Sequence, residues 1–262
     1  MSSWALSKIG KQNLKVKSPI LVGGLPGIGN VGKVAVDFII DEVKAEKIYE
    51  LFSYSLPHSV FINEENLIEL PTISIYYKRI KNRDLLFLSG DAQPIDEISA
   101  YEFTEKLLDM LKELNSEELV TLGGVGLPFI PKKPKIYCIG TSKEIIRKYT
   151  NVQGVKVDNS LYGVVGPIVG VTGLLLGMAK KKNISGVALL AETYAHPLYL
   201  GIKGAREIVD ILNKKLSLSI NMEDLDREIA ELEQAEQTKK PVKGNPLQKI
   251  QSKLGKDITY IG

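Results

Sequence analysis

Residues 20–32, ILVGGLPGIGNVG, limit the fold more than any other stretch of the chain. Ile20, Leu21 and Val22 read as a short buried strand. Gly23, Gly24, Gly27, Gly29 and Gly32 let the backbone turn tightly and approach other groups, because glycine tolerates positive φ and carries no Cβ. Pro26 fixes one φ inside the turn. A helix start follows and runs on through 33–43, and its first N–H groups have no intrahelical partner. Strand, glycine turn and helix form the opening unit of an α/β domain.

The same turn satisfies Gly27-x-Gly29-x-x-Gly32, the dinucleotide fingerprint, and Glu50 stands near the end of a second strand at 47–52. Read that way, the helix N-terminus takes a phosphate and Glu50 a ribose hydroxyl. Gly24, Gly27, Gly29, Gly32 and Glu50 are then the candidate ligand loop of a nucleotide- or phosphate-dependent enzyme. The competing reading makes the turn a packing device between helix and sheet.

The rest of the chain alternates. A short hairpin is expected at 59–62 and 67–70, two β runs at 72–79 and 84–89, and a helix at 99–115 with apolar residues at helical spacing. A strand at 118–122 is expected to end in a glycine loop at 123–126. Strands at 136–140 and 187–191 and helices at 143–149 and 204–216 complete the pattern. The alternation predicts an α/β domain with a mainly parallel sheet and an antiparallel hairpin section. Residues 161–179 are uncharged and long enough for a membrane span. Their five glycines and Pro167 favour a buried, close-packed helix instead.

Chemistry is sparse. Cys138 is the lone cysteine and His58 and His196 the two histidines, so neither a disulfide nor a Cys/His metal cluster is expected. Neither a G-x-S-x-G elbow nor a G-x-x-x-x-G-K-[ST] phosphate loop occurs. Glu192 and His196 are four apart, but Pro197 argues against a metal-binding helix face. No catalytic residue and no cofactor is therefore assigned. A net charge of +3 is too small to argue for nucleic acid. The first residues lack a charged segment followed by an apolar run, so a cytoplasmic location is expected.

Past residue 216 the composition changes. Residues 222–236 form a strongly acidic helix with Leu225, Ile229 and Leu232 on one face. Residues 238–256 carry six lysines and no acid, broken by Pro241, Gly244 and Pro246. The expected division is an α/β core over 1–220, an acidic amphipathic helix over 221–237 and a flexible basic tail over 238–262.

Taken in order, LVGGLPGIGNVGKVAVDFII, LFLSGDAQP, LGGVGLP, VVGPIVGVTGLLLGMA and LLAETYAHP resemble the archaeal members of the proteasome assembly chaperone family, relatives of its second eukaryotic subunit. The resemblance spans about residues 18–216. It implies a three-layer α/β/α sandwich of phosphorylase/hydrolase-like type. It also implies a non-enzymatic homo-oligomer that acts as chaperone or ATP-independent activator of the 20S proteasome, binding its α subunits. Activators of that particle often insert a C-terminal hydrophobic–Tyr–any-residue tail between α subunits. Here Ile258, Tyr260, Ile261 and Gly262 are the matching partner-binding candidates. Tyr260 is third from the end, so docking requires a shifted register.

Overall fold

The computed structural model describes residues 4–10, 15–63, 65–152, 154, 157–158, 166–197 and 199–238. In chain order the elements are β1 (Ala5–Lys8), β2 (Ile20–Gly23), α1 (Val31–Val43), β3 (Glu46–Phe52), β4 (Phe61–Ile62), β5 (Ile68–Glu69), β6 (Ile73–Ile80), β7 (Arg83–Gly90) and α2 (Glu97–Glu113). They continue with β8 (Glu118–Leu127), β9 (Ile136–Gly140), α3 (Lys143–Thr150), α4 (Val171–Lys181), β10 (Ser185–Tyr194), α5 (Ile202–Leu216) and α6 (Met222–Thr238).

Eight strands form one sheet in the order β1-β3-β6-β7-β2-β8-β10-β9. β7, β2, β8 and β10 are parallel neighbours. Every other pairing in the sheet is antiparallel. The parallel expectation thus holds at the centre, and the antiparallel section is wider than the hairpin read from sequence. Lys81 and Asn82, both at positive φ, close the two-residue turn between β6 and β7, and β1, β3 and β9 add three further antiparallel pairings, so the sheet is mixed rather than mainly parallel.

Helices cover both faces of the sheet. α1, α3, α5 and the start of α6 share one apolar core, in which Phe38, Tyr149, Ile208 and Leu225 meet Val120 and Leu189 of the strands. α2 and α4 share the other, with Phe103, Leu107 and Leu175 against Leu86 and Ala188. The three-layer α/β/α architecture is the one expected. The edge strand β1 is held by Trp4, whose Nε1 donates to Ser99 O at 3.0 Å and whose ring meets Phe103 edge-on at 4.8 Å. Asp96 starts α2 by accepting from Ser99 N, and Ser142 starts α3 by accepting from Ile145 N.

Two expectations are corrected. The glycine stretch 123–126 is not a loop but the end of β8, in register with Leu190–Thr193 of β10. Glycine is needed there because a Cβ on Gly124 would collide with the Ile28 carbonyl. The apolar helix at 161–179 shrinks to α4, with 161–165 outside the described residues and 166–170 non-helical. Gly170 at φ +86° starts α4. Gly177 faces open space, so its spacing from Gly173 does not serve packing on this sheet. No helix among the described residues is long and apolar enough to cross a membrane.

Candidate functional site

The turn after β2 sits at the carboxyl edge of the parallel strands, where open α/β sheets usually take ligands. Here the turn packs closely on its own sheet, while Gly27 and Ile28 remain exposed. A Cβ on Gly32 would collide with the Leu122 carbonyl, and one on Gly24 with the Gly32 carbonyl, so helix, turn and sheet are in backbone contact. Gly29, at φ +60°, lies against the buried Thr193 side chain, and its carbonyl accepts from Gly201 N at 2.8 Å. Gly201 in turn packs on Val31 and Thr193. Val31, Gly32 and Lys33, the first turn of α1, are buried. Gly27 extends into the turn, and its N–H donates to Asn30 Oδ1 at 3.3 Å.

Glu50 does not join this turn. It lies on β3, separated from β2 by β6 and β7, which is about 14 Å at the usual strand spacing. Its carboxylate pairs with Lys47 at 2.7 Å. The dinucleotide arrangement requires the acidic strand beside the glycine strand. The antiparallel insertion of β6 and β7 separates the two. The spacing in the sequence carried no information about strand order.

A polar cluster missed from sequence lies beneath α1. Lys33 Nζ pairs with Asp37 Oδ2 at 2.9 Å, and Ser89 Oγ donates to Asp37 Oδ1. Nearby Tyr76 is pushed up to about 12, first by burial and then by Asp37 and Asp91. Hydroxyl, carboxylate and ammonium in a row are the parts of an activated nucleophile. Ser89 and Lys33 are buried, however, and the row fastens α1 to β7. The available signal was Lys33 and Asp37, four apart on an apolar helix.

Glu192 is a latch rather than a ligand. Its carboxylate accepts from Lys135 N at 3.0 Å and from Tyr137 Oη at 2.8 Å, which pins the β8–β9 loop. Across the edge, Gln93 donates to Pro26 O and accepts from Val171 N at 2.9 Å, tying the glycine turn to α4. The Cys138 thiol is pushed up to about 12 by burial. No group of His, Cys, Asp and Glu suited to a metal ion occurs among the described residues. Leu225 and Ile229 of α6 are buried on the body, and Arg206 grips Asp226 through two bonds of 2.8 and 2.9 Å. The tail candidates Ile258, Tyr260, Ile261 and Gly262 lie outside the described residues.

Fold and turn together describe an α/β/α scaffold whose glycine turn packs closely against its own sheet. The chain belongs to the PAC2 family, whose model matches residues 21–239. It is 31% identical over 251 residues to the uncharacterized protein MJ1210 of Methanocaldococcus jannaschii, covering 94% of this chain and 93% of that protein. Among solved structures it is similar to Pyrococcus furiosus PbaB, described as an archaeal proteasome activator. That match has a TM-score of 0.81 and 32% identity, covering 91% of this chain and 99% of the other. It is also similar to P. furiosus PbaA, described as an archaeal homolog of proteasome-assembly chaperone. There the TM-score is 0.72 and the identity 25%, with coverages of 89% and 91%.

Proposed function

We propose that this protein is a non-enzymatic, homo-oligomeric chaperone or ATP-independent activator acting in the cytoplasm. Its partner is the 20S proteasome α ring or an assembly intermediate of it. The observation that carries the reading is the similarity to PbaB over 91% of this chain. The close packing of the glycine turn on Leu122, Thr193 and Gly201 fits a packing role for it.

In this reading Ile258, Tyr260, Ile261 and the Gly262 carboxylate enter pockets between α subunits, tethered by the basic stretch 239–256. Several tails on one oligomer raise the effective concentration of each at its pocket. Deleting 258–262 is expected to reduce co-elution with the 20S particle to background while leaving the oligomer's mass unchanged. Undiminished co-elution of the deletion variant takes the tail out of the mechanism.

A further inference from the structure

Resting on the homo-oligomeric reading above, we propose that the copies join head to tail through two separate sites on the carboxyl edge of the sheet: the β4–β5 hairpin with the 91–98 segment of one copy, and the 128–135 loop of the next.

Both sites lie on the same edge. β3 runs in the sense of β2, since two antiparallel pairings and one parallel pairing link them, so its carboxyl end and the hairpin after it share the edge with the end of β8. Ile95 N donates to Ser55 O at 3.1 Å, which joins the 91–98 segment to the hairpin region.

Each site holds large apolar groups exposed to water. β4 and β5 are a two-stranded sheet with both strands exposed, and Ile62 is 62% and Ile68 71% accessible. A hairpin of this size is marginal by itself in water. Asn63 braces it, its Oδ1 accepting from Leu67 N at 2.9 Å and its Nδ2 donating to Glu69 at 2.8 Å. Ile98, at 75%, extends the surface. In the other site, Phe129 is 60% and Ile130 56% accessible. They stand between Pro128 and Pro131, on the loop that Glu192 pins.

Charge identifies the occupant. The described residues of 53–72 and 91–98 include Glu65, Glu69, Asp91, Asp96 and Glu97 and no lysine or arginine. Residues 128–135 contain Lys132, Lys133 and Lys135 and no acid. An apolar surface with an acidic rim and an apolar tip with a basic rim are complementary. Within one chain the two sites hang from different strands: β2 separates β7, which leads into 91–98, from β8, and β6, β7 and β2 separate β3 from β8, so the parent strands lie about 10 to 19 Å apart at the usual spacing. The match is satisfied between copies. Two different patches meeting make a heterologous contact, which closes into a ring when the rotation permits.

Light scattering coupled to size exclusion tests this on the full chain. One variant carries Phe129→Glu, Lys132→Glu and Lys133→Glu; a second carries Ile62→Asp and Ile68→Asp. All five side chains are exposed, and circular dichroism checks the fold. Wild type is expected as a discrete oligomer and each variant at single-chain mass. A mixture of the two is expected to give a 1:1 heterodimer, because each retains one good site. A wild type at single-chain mass, variants that remain oligomeric, or a mixture that stays monomeric overturns the proposal. A charge swap is the second arm: Lys132→Glu with Lys133→Glu weakens self-association at least tenfold, and adding Glu65→Lys with Glu69→Lys restores it. Lack of restoration overturns the charge matching. A wild-type oligomer that ignores the 20S particle overturns the proposed function and leaves this assembly standing.

Discussion

At residue scale the turn depends on the absence of side chains. Gly32→Ala places a methyl group on the Leu122 carbonyl, which neither backbone can easily yield. Overpacking of this kind is expected to cost about 3 kcal/mol, read as a lower urea midpoint with unchanged slope. Cys138 makes a second prediction. Burial holds its thiol neutral up to about 12, whereas its ordinary value is 9.0. The folded state keeps a proton that the unfolded state releases first, so stability is fully present below pH 9 and is lost as pH rises from 9 towards 12. Tyr137 adds to the loss above 10, its pKa raised to about 12 by burial and by the bond it donates to Glu192. Denaturant midpoints are expected to fall as pH is raised through this window. Cys138→Ala is expected to remove the part that begins at 9. A wild-type midpoint flat over that range contradicts this account.

At the scale of elements, α6 shows how a charged helix is held. Its composition is acidic, yet Leu225 and Ile229 face the apolar core of α1 and α5. Arg206 fastens its first turns at Asp226, whose carboxyl lies below its usual value mainly because of that bond. Leu225→Ala removes the apolar contact at the edge of the body and is expected to cost about 2 kcal/mol. Hydrogen exchange is expected to show lost protection in the first turns of α6 with the sheet amides unaffected. The apolar stripe was legible in sequence because three residues at helical spacing stand among acids. The partner face was not legible, because Arg206 belongs to another helix. The end of β8 illustrates the opposite failure. Gly123, Gly124 and Gly126 look like a loop in sequence, and only the nearness of Ile28 explains why a strand needs them.

At the scale of the whole molecule, helices cover both faces of the sheet, and the loops that follow β3, β7 and β8 lie at its carboxyl edge. The exposed apolar groups of the hairpin and of the 128–135 loop gather there. Clusters of exposed large apolar side chains generally mark interaction sites. The proposed self-association uses that edge, whereas the start of α6 packs with α1 and α5 on one face of the sheet. Removing residues 258–262 is therefore expected to leave the light-scattering mass of the assembly unchanged. A fall in mass on that deletion would place the tail in the subunit contact instead.

The alternation of apolar runs with turns and helical spacing determined by itself the α/β class, the position of nearly every element and the docking stripe of α6, because these are properties of neighbouring residues. Strand order was decided only in three dimensions. Whether Glu50 lies beside Gly29 depends on where β6 and β7 insert, and nothing local to either residue records it. The same holds for the glycine turn. Its sequence suits a phosphate or a close-packed backbone equally well. Its packing on Leu122, Thr193 and Gly201 is set by strands and loops distant in the chain.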